Sequence, residues 1–250
     1  MIPSNYHTHT TFCHGNDTPE QLVLKAIELG CPEIGFSSHA FTSFDDSYGM
    51  TREGTEQYKA CIRELKQKYA DKIKIYLGVE QDFYSDDAPE GYDYVIGSVH
   101  YLYKNGEYLS IDSSKDDMLE QIDKYYGGDI YAYVEQYYDT VAQVYEKTKC
   151  DIIGHFDLIT KFNENDCLFD TASPRYRTAA LRALDALCAS PAVFEINTGA
   201  IARGYRQTPY PADFILEELK KRSKKLIFSS DCHDRNQLLF GYDMYLNAIK

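Results

Sequence analysis

The chain has 250 residues, 44% of them hydrophobic, with 39 acidic against 26 basic side chains and a formal charge of −13, the profile of a soluble globular chain large enough for a full core. No stretch reaches eighteen uninterrupted apolar residues, and the opening MIPSNYHTHTTF lacks a basic start followed by an apolar core, so neither a transmembrane helix nor a secretory signal is expected. The acidity weighs against nucleic acid or a membrane surface as partner, since both demand a positive footprint, but allows a small anionic substrate met by a few local cations in a cleft. Seven cysteines with no Cys-x-x-Cys pair predict free, mostly buried thiols in a reducing, cytoplasmic setting.

No repeat, low-complexity tract or Pro/Gly/Ser linker divides the chain, so residues 1–250 are expected to form one domain. Ile2 to Tyr6 reads as a first strand. Thr18-Pro19-Glu20-Gln21 opens a helix with Thr18 as N-cap, Pro19 in the first turn and Gln21 closing a capping box; Leu22, Ala26 and Leu29 form its apolar face and Gly30 ends it. Ile34 to Ser38 is a second strand, residues 52–70 a helix with Tyr58, Ile62, Leu65 and Tyr69 on one stripe, Ile73 to Glu80 a third strand and Tyr94 to Val99 a fourth. Asn105-Gly106 between two short β-prone runs is a hairpin turn. Residues 115–126 and 129–148 are predicted helical, and Ile152 to His155 is a fifth strand. Ser173-Pro174 caps a helix, Ala192 to Ile196 is a sixth strand, Phe214 to Lys224 a helix and Leu226 to Ser230 a seventh strand. Strands separated by helices imply parallel pairing through right-handed crossovers, and seven such units suggest a closed or nearly closed α/β barrel.

All seven histidines fall at or just beyond the end of a predicted strand: His7, His9 and His14 after the first, His39 the second, His100 the fourth, His155 the fifth and His233 the seventh. Glu80 ends the third strand, and Asp231 precedes His233 by two. Sites of parallel α/β barrels are built on that C-terminal rim. His7/His9 and Asp231/His233 are spaced i, i+2, which places both members of an extended pair on one face. Imidazole and carboxylate together suit zinc, iron or manganese. Nine such side chains exceed the needs of one ion, so two or three ions are expected, with Glu80 and Asp231 as candidate bridges. Cys232 is expected to point away from the ligand face, and Cys13 is read as packing.

Tyr6 to Gly15 (YHTHTTFCHG), Ser38-His39, Gly78-Val79-Glu80, Gly97 to His100, Gly154 to Asp157 and Ser230 to His233 occur in the order of the motifs of the polymerase and histidinol phosphatase (PHP) superfamily, and the chain resembles that family over nearly its whole length. Glu195 to Gly199, Arg203 and Tyr210-Pro211 look most like its histidinol-phosphate phosphatase branch. The resemblance implies a distorted (β/α)7 barrel with a trinuclear site: His7, His9, Glu80 and Asp231 on one metal, Glu80, His100 and His155 on a second, and His14, His39 and His233 on a third. The reaction expected from it is hydrolysis of a phosphate monoester, L-histidinol phosphate foremost, by a hydroxide bridging two ions that lower the pKa of bound water. Asp231, His39 and His233 are candidates for relaying the leaving-group proton. Arg203, in the loop after the sixth strand, is the foremost phosphate clamp; Lys161, Arg206 and Asn197 are further substrate-binding candidates. The acidic segments Phe44-Asp45-Asp46 and Asp82-Phe83-Tyr84 could meet an ammonium or imidazole. Another monoester, such as a nucleotide or a phosphotyrosine, a nuclease role and a binding protein without turnover are the alternatives.

Overall fold

Alternation of apolar side chains decides how the strands stand in the barrel. The computed structural model describes residues 4–247. Its chain order is β1 (Ser4–Asn5), α1 (Pro19–Glu28), β2 (Glu33–Phe36), α2 (Arg52–Lys68), β3 (Lys74–Asp82), β4 (Tyr94–Ser98), the hairpin β5 (Tyr101–Lys104) and β6 (Glu107–Ser110), α3 (Lys115–Tyr126), α4 (Ile130–Val141) and α5 (Val144–Thr148). There follow β7 (Ile152–Ile153), α6 (Pro174–Cys188), β8 (Val193–Asn197), α7 (Gly199–Ala202), α8 (Asp213–Lys221), β9 (Leu226–Ser229) and α9 (Tyr242–Tyr245). The seven strands β1-β2-β3-β4-β7-β8-β9 form one parallel sheet, and β5 and β6 form a separate two-stranded antiparallel sheet. The first and last strands meet just beyond their ends, where Thr8 bridges Cys232, His9 N–H donates to Cys232 O at 2.8 Å and Cys232 N–H to His7 O at 3.0 Å. The result is a single α/β domain with a nearly closed, barrel-shaped sheet.

Along β3, Ile75, Leu77 and Val79 face the helices, as do Phe194 and Ile196 of β8; these belong to the main core between sheet and helices. Each such side chain contributes about 1.5–3 kcal/mol by burial. The opposite face points into the barrel. Tyr94 of β4 crosses that interior, its hydroxyl donating to Tyr6 O at 2.5 Å and Phe36 O at 3.0 Å on the β1 and β2 side. Gly35 and Gly78 leave it room, since a Cβ at either would come within 2.4 Å or less of the phenol. Tyr94, Ile96 and Ile152, with Tyr6, Tyr76, Val193 and Ile227 around them, plug the lower barrel. One step higher on the same inward columns stand Glu80 (β3), Ser98 (β4) and Glu195 (β8), so the period of two carries polar groups to the rim above an apolar floor.

Local chemistry accounts for most boundaries. The Thr18/Gln21 capping box forms as expected, and Asn105 and Gly106 take φ of 51° and 89°, the turn a two-residue hairpin needs. Several expectations are corrected. The described part of the first strand is only Ser4–Asn5, and Ile2 lies outside the described residues. The helix expected over 129–148 breaks after Val141: Gln143 N–H bonds Thr140 O, three residues back, and the Thr140 hydroxyl donates to Gln136 O. Ser173 precedes α6 but its side chain makes no capping bond. The Gly199 to Gly204 segment, expected as a loop, contains the helical turn α7, with Arg203 as its C-cap.

Candidate metal centre

All nine predicted donors come together at the C-terminal rim. His7 and His9 follow β1, His39 extends β2 and bridges Glu80 of β3, His100 follows β4, His155 follows β7, and Asp231 and His233 follow β9. Their donor atoms group within 4.8 Å of one another as His7/His9/Asp231, His7/Glu80/His155, His39/Glu80/His100 and His9/His14/His39/His233. Glu80 sits at the centre. Its Oε2 lies 3.1 Å from His7 Nε2, 3.3 Å from His9 Nε2 and 3.0 Å from His39 Nδ1, while Oε1 lies 2.9 Å from His155 Nε2 and 3.4 Å from His100 Nε2. One carboxylate thus serves two sets of imidazoles. Asp231 Oδ1 lies 3.2 Å from His9 Nε2, and His14 Nε2 lies 2.6 Å from His233 Nε2.

The donor set fits cations on two observations. His7 Nε2, His9 Nε2, His39 Nδ1 and Glu80 Oε2 are buried, face one another and make no hydrogen bond, an arrangement that leaves several lone pairs pointing at one place. The far sides of the rings are tied instead: His7 Nδ1 to Glu195 Oε2 at 2.9 Å, and His100 Nδ1 to Asp82 Oδ2 at 3.2 Å. A carboxylate there holds the proton on Nδ1 and leaves Nε2 free to ligate. Burial opposes charge on Glu80, but the imidazoles of His39, His7 and His100 outweigh it and hold its pKa well below the ordinary carboxylate value. Asp231 is likewise buried yet held low, chiefly by Arg203 and His7. Asp231 also takes φ 47°, a left-handed backbone that a non-glycine residue adopts at a cost. Arg203 secures it there, Nη2 donating to Asp231 Oδ2 and Nη1 to Asp231 O, both at 3.0 Å.

A cavity of about 390 Å³ opens on these donors. Arg203 and Lys161 line it, as do Asp45, Tyr48, Tyr101 and Asp112. Lys161 Nζ donates to Asp112 O at 2.7 Å and lies 3.4 Å from Asp112 Oδ2. Asp45 accepts from the Tyr101 hydroxyl at 2.5 Å; burial opposes its charge, but the Ser47 and Tyr101 donors lower its pKa. Two substrate-contact expectations find other surroundings. Asn197 is fully buried, its amide donating to Glu195 Oε1 at 2.8 Å and accepting from Gly199 N–H at 2.9 Å, so it braces β8 and does not face the cavity. Arg206 stands behind the cavity wall, donating to Thr160 and Thr208 with its guanidinium over the Tyr210 ring. Asp82, weighed as an acid for substrate, is spent on His100, whose backbone N–H it also accepts at 2.7 Å.

Cys232 is buried in the core, its thiol directed at Asp234 O, as expected. Cys13 is not simple packing: its Sγ lies 3.6 Å from His9 Nδ1 and 3.4 Å from Thr10 O, behind a donor ring. Glu195 is a residue whose place, core or site, the sequence alone does not decide. Its signal was an acid in the middle of the apolar run Val193-Phe194-Glu195-Ile196, in phase with Val193 on the barrel floor.

A parallel barrel whose rim collects histidines around a shared glutamate defines an α/β-barrel protein built for a multi-metal site. More particularly, the chain belongs to the PHP domain family, whose model matches residues 5–199. It is 29% identical to the histidinol-phosphatase of Bacillus subtilis, over 96% of this chain and 97% of that one. The structure of a candidate histidinol phosphatase from Listeria monocytogenes superposes with a TM-score of 0.83 at 26% identity, covering 97% of this chain and all of that one. The histidinol phosphate phosphatase of Lactococcus lactis, solved with zinc, L-histidinol and phosphate, shares the fold with a TM-score of 0.66 at 22% identity over 98% and 93% of the two chains.

Proposed function

We propose that this protein is a metal-dependent phosphate monoester hydrolase whose substrate is L-histidinol phosphate, giving L-histidinol and phosphate in histidine biosynthesis. The observation that carries the reading is the juxtaposition of the nine-donor rim, seven of whose members line one cavity, with two cations in that cavity, Arg203 and Lys161, and with the acid Asp45. The full-length likeness to the Bacillus subtilis histidinol-phosphatase supports the choice of ester. His7, His9, Glu80 and Asp231 would hold one ion, Glu80, His100 and His155 a second, and His14, His39 and His233 a third. Zinc, iron or manganese bound there would supply acidified water and neutralise phosphoryl oxygens.

The chain's own groups do the rest. Arg203 has one guanidinium edge committed to Asp231 and lies in the cavity wall, from which it meets the phosphoryl group. Lys161, held by Asp112, adds a second positive charge. Asp45, kept ionised by Ser47 and Tyr101, is available to the ammonium or imidazole of the substrate. Asp231, His39 and His233 remain the groups that return a proton to the leaving alkoxide. A cytoplasmic setting suits seven unpaired thiols, and among the described residues no helix is long and apolar enough to cross a membrane.

The test is phosphate release by metal-loaded protein from L-histidinol phosphate and from a panel including a nucleotide and phosphotyrosine, with a chelator-treated arm. A kcat/KM for histidinol phosphate well above the panel, lost with chelator, is the expected result. Equal rates across the panel would overturn the substrate, and no release from any ester would overturn the reaction.

A further inference from the structure

Six tyrosines stand among the largest fully buried side chains: Tyr58, Tyr133, Tyr137, Tyr138, Tyr176 and Tyr210. Five have their hydroxyls paired. Tyr58 donates to Gly78 O at 2.9 Å, Tyr133 to Gln121 Oε1 at 3.3 Å, Tyr137 to Phe156 O at 3.1 Å, and Tyr138 to the Tyr176 hydroxyl at 3.2 Å. Tyr210 is the exception: its hydroxyl is buried and without a hydrogen-bond partner. It is also the one of the six that lines the cavity above the metal centre. A buried hydroxyl deprived of a partner is destabilising, so its retention at a ligand cavity asks for an acceptor that arrives with the ligand.

The placement is firm. Tyr210 pairs antiparallel with the end of β8, Asn197 N–H donating to Tyr210 O at 2.8 Å and Tyr210 N–H to Asn197 O at 2.9 Å. Its ring stands edge-on to that of the donor His155, with centroids 6.3 Å apart, and the Arg206 guanidinium covers its face at 4.9 Å. Of the carboxylates nearby, Asp112 is engaged with Lys161, and Asp157 has Oδ2 on Ala212 N–H while its Oδ1 makes no hydrogen bond. Burial keeps the phenol protonated through the neutral range, and Arg206 and Arg203 beside it favour an incoming anion.

We propose that the Tyr210 hydroxyl is a substrate-contacting donor, giving a hydrogen bond to a phosphoryl oxygen of the bound ester on the side held by Arg203. This rests on the phosphomonoester reading above. The competing account is a buried water shared by three partnerless atoms, Tyr210 Oη, Asp157 Oδ1 and Arg206 Nε.

Tyr210→Phe separates them, with Tyr58→Phe as the control for a paired buried hydroxyl. Three quantities are measured: the Tm of the metal-free proteins, calorimetric affinity of the metal-loaded proteins for inorganic phosphate, and kcat/KM on the best ester. The proposal expects Tyr210→Phe to keep or raise Tm, because an unpaired polar group is removed. It also expects phosphate affinity and kcat/KM to fall about ten- to a hundredfold at unchanged metal content, the worth of one hydrogen bond to a charged acceptor. Tyr58→Phe should lower Tm and leave phosphate affinity alone. A fall in Tm for Tyr210→Phe with unaltered phosphate affinity would establish the water network and overturn the proposal, as would unaltered affinity with an unaltered Tm. Should the wild-type protein release phosphate from no ester, the phosphate-affinity comparison still decides the role of Tyr210, so the two readings fail separately.

Discussion

Glu195→Gln removes one charge and no volume from beneath the metal centre. Three donors reach the wild-type carboxylate: His7 Nδ1–H at 2.9 Å on Oε2, and His155 N–H at 2.6 Å and Asn197 Nδ2–H at 2.8 Å on Oε1. A glutamine has one accepting oxygen. If that oxygen stays with His155 and Asn197, its amino group faces His7 Nδ1 and forces the ring into the other tautomer, with a proton on Nε2 where a lone pair is required. If it turns to His7, two buried donors confront an NH2. Either arrangement forfeits the support of a donor ring, an effect worth roughly 10–100-fold in metal affinity. Buried Glu195 is ionised, its pKa lowered against the burial penalty by His7 and His155, so the charge removed is a real one. Competition against a chelator series, with metal counted by elemental analysis, reads the loss, and Glu195→Asp should recover part of it. Wild-type retention by Glu195→Gln would show that Glu195 merely packs the barrel.

Glu80→Ala withdraws an oxygen from both imidazole sets at once, so its loss of metal and activity should exceed the roughly 10–100-fold of a supporting residue, measured by the same elemental count and by phosphate release. Arg203→Ala should weaken phosphate affinity and also loosen metal, because it strips the partner from Asp231 Oδ2 and the clamp from a φ of 47°; a kinetic profile and metal content equal to wild type would remove Arg203 from both roles. Cys232→Ser should retain metal, since the side chain faces Asp234 O and not the donors, and loss of metal would mean the segment faces the other way. Chelator-stripped protein should bind inorganic phosphate roughly tenfold or more weakly than loaded protein, with calorimetry as the check.

The donors were legible because a strand end is a strong positional constraint: a period of two fixes faces, and the C-terminal rim of a parallel barrel collects whatever those faces carry. His7, His9, Glu80 and Asp231 needed no more than that. The residues behind them were harder to read. Glu195 and Asn197 lie on β8 two apart, and assigning them inward required the phase of the strand, which only Val193 on the barrel floor reveals. Cys13 was opaque because its contact with His9 depends on the turn that folds Gly15 back on Thr10, where a Cβ would lie 2.6 Å from backbone atoms. Arg203 was placed correctly in the chain and wrongly in kind, since Gly-Ala-Ile-Ala carries no cap to announce a helical turn. The partition of Lys161 from Arg206 turns on which side of a wall each lies, a property of tertiary packing alone.

The acidity of the chain and the proposed anionic substrate are reconciled by counting charge locally. Around the centre stand six carboxylates, Glu80, Asp231, Glu195, Asp82, Asp45 and Asp112, against two cations, Arg203 and Lys161. With the imidazoles counted as neutral, as ligands to a cation must be, these groups sum to −4. Two divalent ions would bring that sum to zero and three to +2, at the rim where the phosphoryl group of the proposed ester would lie. Under the proposed reaction, metal loading would do more than supply reactive water: it would set the sign of the pocket. Asp45 and Asp112 also line the cavity, Asp112 paired with Lys161, so a loaded rim would share the cavity with an acid, Asp45, that no cation among the described residues neutralises. Such a field suits a small ester carrying its own cation a few bonds from the phosphate, and it penalises a polyanion such as a nucleic acid strand, whose next phosphates would be drawn past those acids.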